Sequence, residues 1–209
     1  MNAIETLVNL VRGAGRQAQF GGLEERFCAD DGAPYERYVV VGTSGSGKST
    51  LAAALADELG IEYVELDALH WLSGWEMRPI EEFRQIVAES VGQERWVMDG
   101  NYGKVRDIVW RRAQAVIWLD LPFSVVMRRI IWRSIDRAAT RRELWNGCRE
   151  TFRQSFFSKN SVILWAAQTW SRRRRRYPEI LAQPEFSHLE VFRVTDPGFR
   201  QDEPGIRGQ

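Results

Sequence analysis

Residues 38–57 read YVVVGTSGSGKSTLAAALAD, and the fold follows from how this stretch divides. Four apolar residues, Tyr38 to Val41, form a strand-like run; a glycine-rich turn follows, and LAAALAD opens a helix. Gly42, Gly47, Lys48 and Ser49 fit the spacing G-x-x-x-x-G-K-[ST], the P-loop that cradles a polyphosphate. Gly42, Gly45 and Gly47 admit dihedrals closed to residues with a Cβ, so the N–H groups of the loop, Ser44 and Ser46 included, can turn inward on an anion. The helix behind adds its unpaired N–H groups and the positive end of its dipole. Lys48 supplies a charge that can follow a transferring phosphoryl group, the Ser49 hydroxyl is placed for Mg²⁺, and Thr50 for the α-phosphate. The stretch predicts binding of a nucleoside triphosphate with Mg²⁺.

Composition narrows the setting. The chain has 209 residues, a formal net charge of +1, and 27% charged and 44% hydrophobic residues. That length predicts one domain burying roughly 70% of the surface exposed when unfolded. No apolar run approaches the roughly 18 residues of a membrane span, and the opening MNAIETLVNL lacks a basic stretch followed by an apolar one, so a cytoplasmic protein is expected. Cys28 and Cys148 are expected to be reduced thiols, and with His70 and His188 they form no structural-zinc spacing. Arginine crowds the stretch from Arg128 to Arg176, which points to a local anionic partner.

Ile4, Leu7, Val8 and Val11 share one helical face, so residues 1–33 read as an appended helix and linker. The main domain is expected over 34–200, followed by a tail over 201–209. After the P-loop helix, which Gly60 should stop, IEYVELD predicts a second strand ending at Asp67. Pro79 is expected at the first helical position of PIEEFRQIVAESVG, which should end at Gly92. RWVMDG predicts a third strand ending at Asp99, AVIWLDLP a fourth, and LEVFRVT a fifth. Pro122 should open a long helix. Strands alternating with helices predict an α/β three-layer sandwich, a P-loop NTPase fold with a five-stranded parallel sheet. In such sheets ligands bind beyond the carboxyl ends of the strands, where the P-loop, Asp67, Asp99 and Asp120 would converge.

GTSGSGKST, LDALHW, WVMDGNYG, AVIWLDLP and the late RRRRRYPEIL, in this order, resemble the bacterial "DNA topology modulation protein" group, itself similar to adenylate and shikimate kinases. The resemblance covers roughly residues 38–195 and implies an ATP-dependent phosphotransferase. It implies that Asp99 holds Mg²⁺ through water, the alternative being a cap on the turn at Gly100 and Asn101. It puts Asp67 opposite the acceptor, where it would orient or deprotonate a hydroxyl, or merely bind a monophosphate; a local helix or turn cap is the other reading. It also implies a helical lid over about 126–160, whose arginines neutralise the transferring phosphoryl group.

Arg129, Arg133 and Arg137 recur every four residues and are the lid candidates, unless that stripe, continued by Arg141, faces solvent beside Asp136 and Glu143. Trp71 and Trp75 flank the loop after Asp67 and could sandwich a ring, while Arg78 could meet an acceptor phosphate or simply face solvent. The acceptor is expected among Asp67, the Trp71 to Arg78 loop, Asn101 and Tyr102. Thr195, Asp196 and Pro197 fall where related kinases hold adenine. Trp110, Trp118, Trp132 and Trp165 are expected in the core. Arg172 to Arg176, on a helix expected to end at Pro178, read as a solvated or partner-binding face, a source of substrate-phosphate contacts, or a nucleic-acid contact. Five consecutive helical residues surround the whole helix and cannot all face one groove. The rival function is a regulatory NTPase associated with nucleic acid. The chain lacks the four-cysteine lid and the arginine pattern of adenylate kinases, which leaves the acceptor open.

Overall fold

The computed structural model describes residues 22–140, 145–148, 161–196 and 206–207. The amphipathic stretch through Val11, together with Arg141, Glu143 and Pro197, lies outside them. Strands are β1 (Arg37–Gly42), β2 (Glu62–Glu65), β3 (Trp96–Asp99), β4 (Ala115–Leu119), β5 (Glu190–Val194) and β6 (Ile206–Arg207). Helices are α1 (Leu23–Arg26), α2 (Lys48–Leu59), α3 (Leu66–His70), α4 (Ile80–Val91), α5 (Arg106–Arg112), α6 (Phe123–Thr140) and α7 (Val162–Leu181). The sheet order is β2-β3-β1-β4-β5-β6. The first five pair in parallel as expected, and the two-residue β6 adds an antiparallel edge.

The near-continuous apolar runs exist because both faces of the sheet are covered. Val39 and Val41 point to a layer built by α4, α5 and the end of α7, with Phe83, Val87, Trp110 and Tyr177. Tyr38 and Val40 point to the opposite layer, with Leu51 and Leu55 of α2, Val126 of α6, and Phe27. Leu23 and Phe27 are therefore core residues, so the packed unit takes in α1 ahead of residue 34. Parallel register brings Glu65 beside Asp99, Asp99 beside Val40, and Gly42 beside Leu119, which lines up the strand ends along one edge.

Several boundaries differ from expectation. β2 stops at Glu65, because Leu66 turns into the core and starts α3, so Asp67 lies in a helical first turn. Pro79 caps α4 from outside with ψ 138°, an extended value that the first helical residue cannot adopt. Helix α7 continues through Pro178 to Leu181, since burial of Tyr177 and Ile180 outweighs the hydrogen bond that proline forfeits. Trp110 and Trp118 are buried, but Trp132 and Trp165 are 65% and 46% exposed and do not belong to the core. Cys28 and Cys148 are free thiols. Among the described residues no helix is long and apolar enough to cross a membrane.

Arg84 of α4 grips Asp107 of α5 with two bonds, of 3.0 and 2.7 Å. Its guanidinium holds the Asp107 carboxyl below the usual carboxylate range. A carboxyl depressed in the folded state contributes stability above its unfolded pKa, and this is lost as pH falls through the folded value. Asp107→Asn should therefore lower Tm modestly at neutral pH, converge with the wild type below about pH 4, and so flatten the acid-side decline. Thermal melts of both proteins across that range check it.

Candidate active site

The phosphate loop takes its shape from a few contacts. Ser46 N–H bonds to the Thr43 carbonyl at 3.0 Å, and Gly47, at φ 96°, is the residue from which α2 starts. The first N–H groups of α2 are thus left without intrahelical partners and face the loop's interior, an anion site by construction. Gly45 has φ 83°, and a Cβ there would lie 2.9 Å from Ile130 Cβ and 3.1 Å from the Val126 carbonyl. The loop and α6 meet at this glycine. Gly45→Ala should weaken nucleotide binding by about tenfold or more, through left-handed strain and separation of α6 from the loop. A nucleotide titration with the folded variant tests this.

Helix α6 carries the predicted stripe to the loop. Arg129 Nη1 donates to the Ser46 carbonyl at 2.9 Å, and Arg133 Nη2 donates to Ser44 Oγ at 3.2 Å. Burial, and then Arg128, lowers the proton affinity of the Arg129 guanidinium. Arg137 lies one turn further along and is half-buried. Thr50 is exposed on the first turn of α2, and Asp196 is exposed just beyond β5.

Asp99 ends β3 almost wholly buried. Ser49 Oγ donates to its Oδ2 at 2.6 Å, Tyr63 donates to its Oδ1 at 3.1 Å, and Lys48 Nζ stands 3.9 Å from Oδ2. Burial raises the Asp99 pKa, and Lys48 opposes that shift. The hydroxyl and carboxylate oxygens of Ser49 and Asp99 are hard donors side by side at the foot of the phosphate loop. They suit Mg²⁺ held partly through water.

On the neighbouring side, Tyr102 donates to Asp67 Oδ1 at 2.5 Å. His70 packs against Trp71, Phe83 and Tyr102, and burial lowers its pKa, favouring the neutral ring. Trp71 and Trp75 meet edge to face at 5.6 Å. Arg78 donates to the Leu69 carbonyl at 2.7 Å and pairs with Glu82, so it braces the loop. The Asn101 amide is engaged on both sides: it exchanges hydrogen bonds with Gly42 N–H and carbonyl, and it accepts from Tyr177 at 2.6 Å. Its position ties β3 to the root of the phosphate loop.

The arginine run divides by direction. Arg173 lies over Trp165 at 4.3 Å, and its Nη1 is buried with no hydrogen-bond partner among the described residues. Burial lowers its pKa, while Tyr177 and Asp67 favour its charge, so this guanidinium is within electrostatic reach of Asp67. Arg174 turns the other way and meets Asp120 at 3.3 Å, beside Arg193. Two of the five arginines therefore have intramolecular roles, and the run forms no single basic face. Tyr63, Glu65, Trp145 and Arg173 were not individually legible as site residues, because their positions depend on pairings between distant segments. A small pocket is bounded by Leu66, Gly100, Asn101, Tyr102, Arg106 and Tyr177.

The AAA domain family matches residues 38–198. A shikimate kinase of Synechococcus elongatus is 32% identical over 139 residues, covering 56% of this chain and 72% of that protein. A probable gluconokinase of Schizosaccharomyces pombe is 53% identical over 38 residues, 18% of this chain and 20% of that protein. Among solved structures, shikimate kinase from Acinetobacter baumannii in complex with shikimate has a TM-score of 0.49 at 16% identity, covering 79% of this chain and 87% of that one. The chain belongs to the AAA domain family of P-loop proteins, and its kinase relatives mark it as a P-loop small-molecule kinase.

Proposed function

We propose that the protein transfers the γ-phosphoryl group of ATP to a hydroxyl of a small organic acid. The observation that carries this reading is the Asp67 carboxylate, oriented by the Tyr102 hydroxyl, with the Arg173 guanidinium within electrostatic reach of it. A carboxylate suited to a hydroxyl proton shares the acceptor side with a buried guanidinium nitrogen that has no partner among the described residues. A monophosphate acceptor needs no base, because its oxyanion is already a nucleophile. An acid bearing a hydroxyl uses both groups. Shikimate and gluconate, the acceptors named by the two kinase relatives, are both hydroxy acids.

In the proposed mechanism the loop N–H groups and Lys48 hold the β- and γ-phosphates, and Thr50 lies near the α-phosphate. Ser49 and Asp99 would hold Mg²⁺, with Tyr63 fixing the rotamer of Asp99. When bound, that ion would supply charge neutralisation at the phosphates. Asp67, oriented by Tyr102, accepts the proton of the attacking hydroxyl, while Arg173 takes the acceptor's carboxylate and Trp71 and Trp75 wall it. Arg129 and Arg133 stabilise charge on the phosphoryl group in flight, and Arg137 extends that stripe. Asp196 borders the adenine end. Arg78 and Asn101 act through the loop positions they brace.

A γ-phosphate transfer screen tests this with Mg·ATP, wild type beside Lys48→Ala, against shikimate, D-gluconate, uncharged polyols and nucleoside monophosphates. Transfer to a hydroxy acid that Lys48→Ala abolishes supports the proposal. Transfer only to monophosphates, or hydrolysis indifferent to every acceptor, sinks it.

A further inference from the structure

Glu65 ends β2 in register with Asp99, yet it turns to a different partner. Its Oε2 accepts from Trp145 Nε1 at 2.7 Å, across 80 residues of chain. Burial raises the Glu65 pKa, and the Trp145 bond opposes that shift. Trp145 opens a short turn, Trp145–Gly147, in the stretch between α6 and α7. The residues around it are fastened to the same loop. Asn146 Nδ2 donates to the Trp71 carbonyl. Cys148, 2% exposed, donates from Sγ to the Leu72 carbonyl at 3.3 Å and accepts from the Trp75 N–H at 3.3 Å. Trp145 then meets Trp75 edge to face at 6.2 Å, completing a three-tryptophan corner with Trp71.

Backbone geometry marks the same contact. Among the described residues the non-glycine positions with positive φ are Trp75 at 64° and Asn146 at 50°, one on each side of it. A bulky residue such as tryptophan adopts this region only when its surroundings impose it. Hydrogen bonds and ring contacts between the two segments impose it here, and the Glu65–Trp145 bond is the one with a carboxylate acceptor, the stronger class of hydrogen bond.

We propose that Glu65 is a positioning residue whose carboxylate fixes Trp145 against Trp75 and so holds the Trp71–Trp75–Trp145 corner in a single shape. That the corner walls the acceptor rests on the function proposed above; that Glu65 fixes it does not. Glu65 itself touches neither acceptor nor nucleotide in this role.

Amide and indole hydrogen exchange on the full ¹⁵N-labelled chain tests it. The resonance missing in Trp145→Phe identifies the Trp145 indole N–H, which should be protected in the wild type. Glu65→Ala should expose that indole N–H and speed amide exchange over residues 68–77 by about tenfold or more, leaving residues 42–50 within about twofold. Glu65→Gln, which keeps an acceptor oxygen, should retain most of the protection, and Trp145→Phe should open the same loop. Unchanged exchange over 68–77 overturns the proposal, and so does equal loosening of residues 42–50, which would mean a general role in the fold. If Glu65→Ala does not fold, the contrast between Glu65→Gln and Trp145→Phe decides the matter. Failure of the transfer screen leaves this outcome unaffected, so the two ideas fall separately.

Discussion

Arg133→Ala should lower the rate of phosphoryl transfer by about 10³-fold while changing nucleotide affinity by less than about tenfold. The reasoning turns on what each α6 arginine holds. Arg129 bonds to a main-chain oxygen of the phosphate loop, Ser46 O, at 2.9 Å, so it is part of the loop's own support. Arg133 reaches a rotatable hydroxyl, Ser44 Oγ, at 3.2 Å, a longer bond that an incoming phosphate oxygen can replace. Charge appearing on the transferring group is best met by a cation already aimed and desolvated. Arg129→Ala should therefore damage binding and turnover together, whereas Arg133→Ala should damage turnover selectively. Single-turnover transfer beside a nucleotide titration separates the two. A loss of less than about tenfold in both variants would remove α6 from the chemistry. Arg133→Lys should recover only part of the loss, since an ammonium cannot offer two parallel donors to a phosphate.

The sequence was most legible where the local signal and the tertiary demand agree. Strand β1, the loop and α2 follow directly from YVVVGTSGSGKST, because glycine, lysine and serine at fixed spacing have one cheap conformation and one obvious ligand class. The central strands β1, β3 and β4 were legible because a sheet covered on both faces needs apolar residues at nearly every position. What failed did so for tertiary reasons. Asp67 reads as the end of a strand, but Leu66 is drawn into the core and folds the chain into α3. Pro178 reads as a stop, but Tyr177 and Ile180 anchor α7 on either side of it. Trp132 and Trp165 read as core by composition, although helix phase leaves both partly in solvent. The run Arg172–Arg176 has a single composition but several fates, since a helical step of about 100° per residue sends Arg173 and Arg174 to opposite neighbours. Trp145 carries no local mark at all; its role exists only because Glu65 is opposite it.

Asp67→Asn should reduce turnover with a hydroxyl acceptor by about 10²–10⁴-fold, the usual range for a lost general base. Asparagine suits this test better than alanine. Its carbonyl oxygen can still accept from Tyr102, whereas alanine would leave a buried phenol unpaired at about 1–3 kcal/mol and confuse loss of function with loss of structure. The amide keeps the shape and removes only the capacity to take a proton. If the group is a base, kcat falls while nucleotide binding does not, because the Asp99, Lys48 and Ser49 cluster is untouched. If the true acceptor is a monophosphate, its oxyanion attacks without help, and Asp67→Asn should change kcat by less than about tenfold. The same variant therefore reads the acceptor's chemistry before its name is known. A large kcat effect requires a hydroxyl nucleophile, and it makes Arg173, whose charge Asp67 favours, the natural holder of the acceptor's negative charge. In that case Arg173→Gln should raise the acceptor KM by about tenfold or more with little change in kcat, since the charge it meets is the same in ground and transition states.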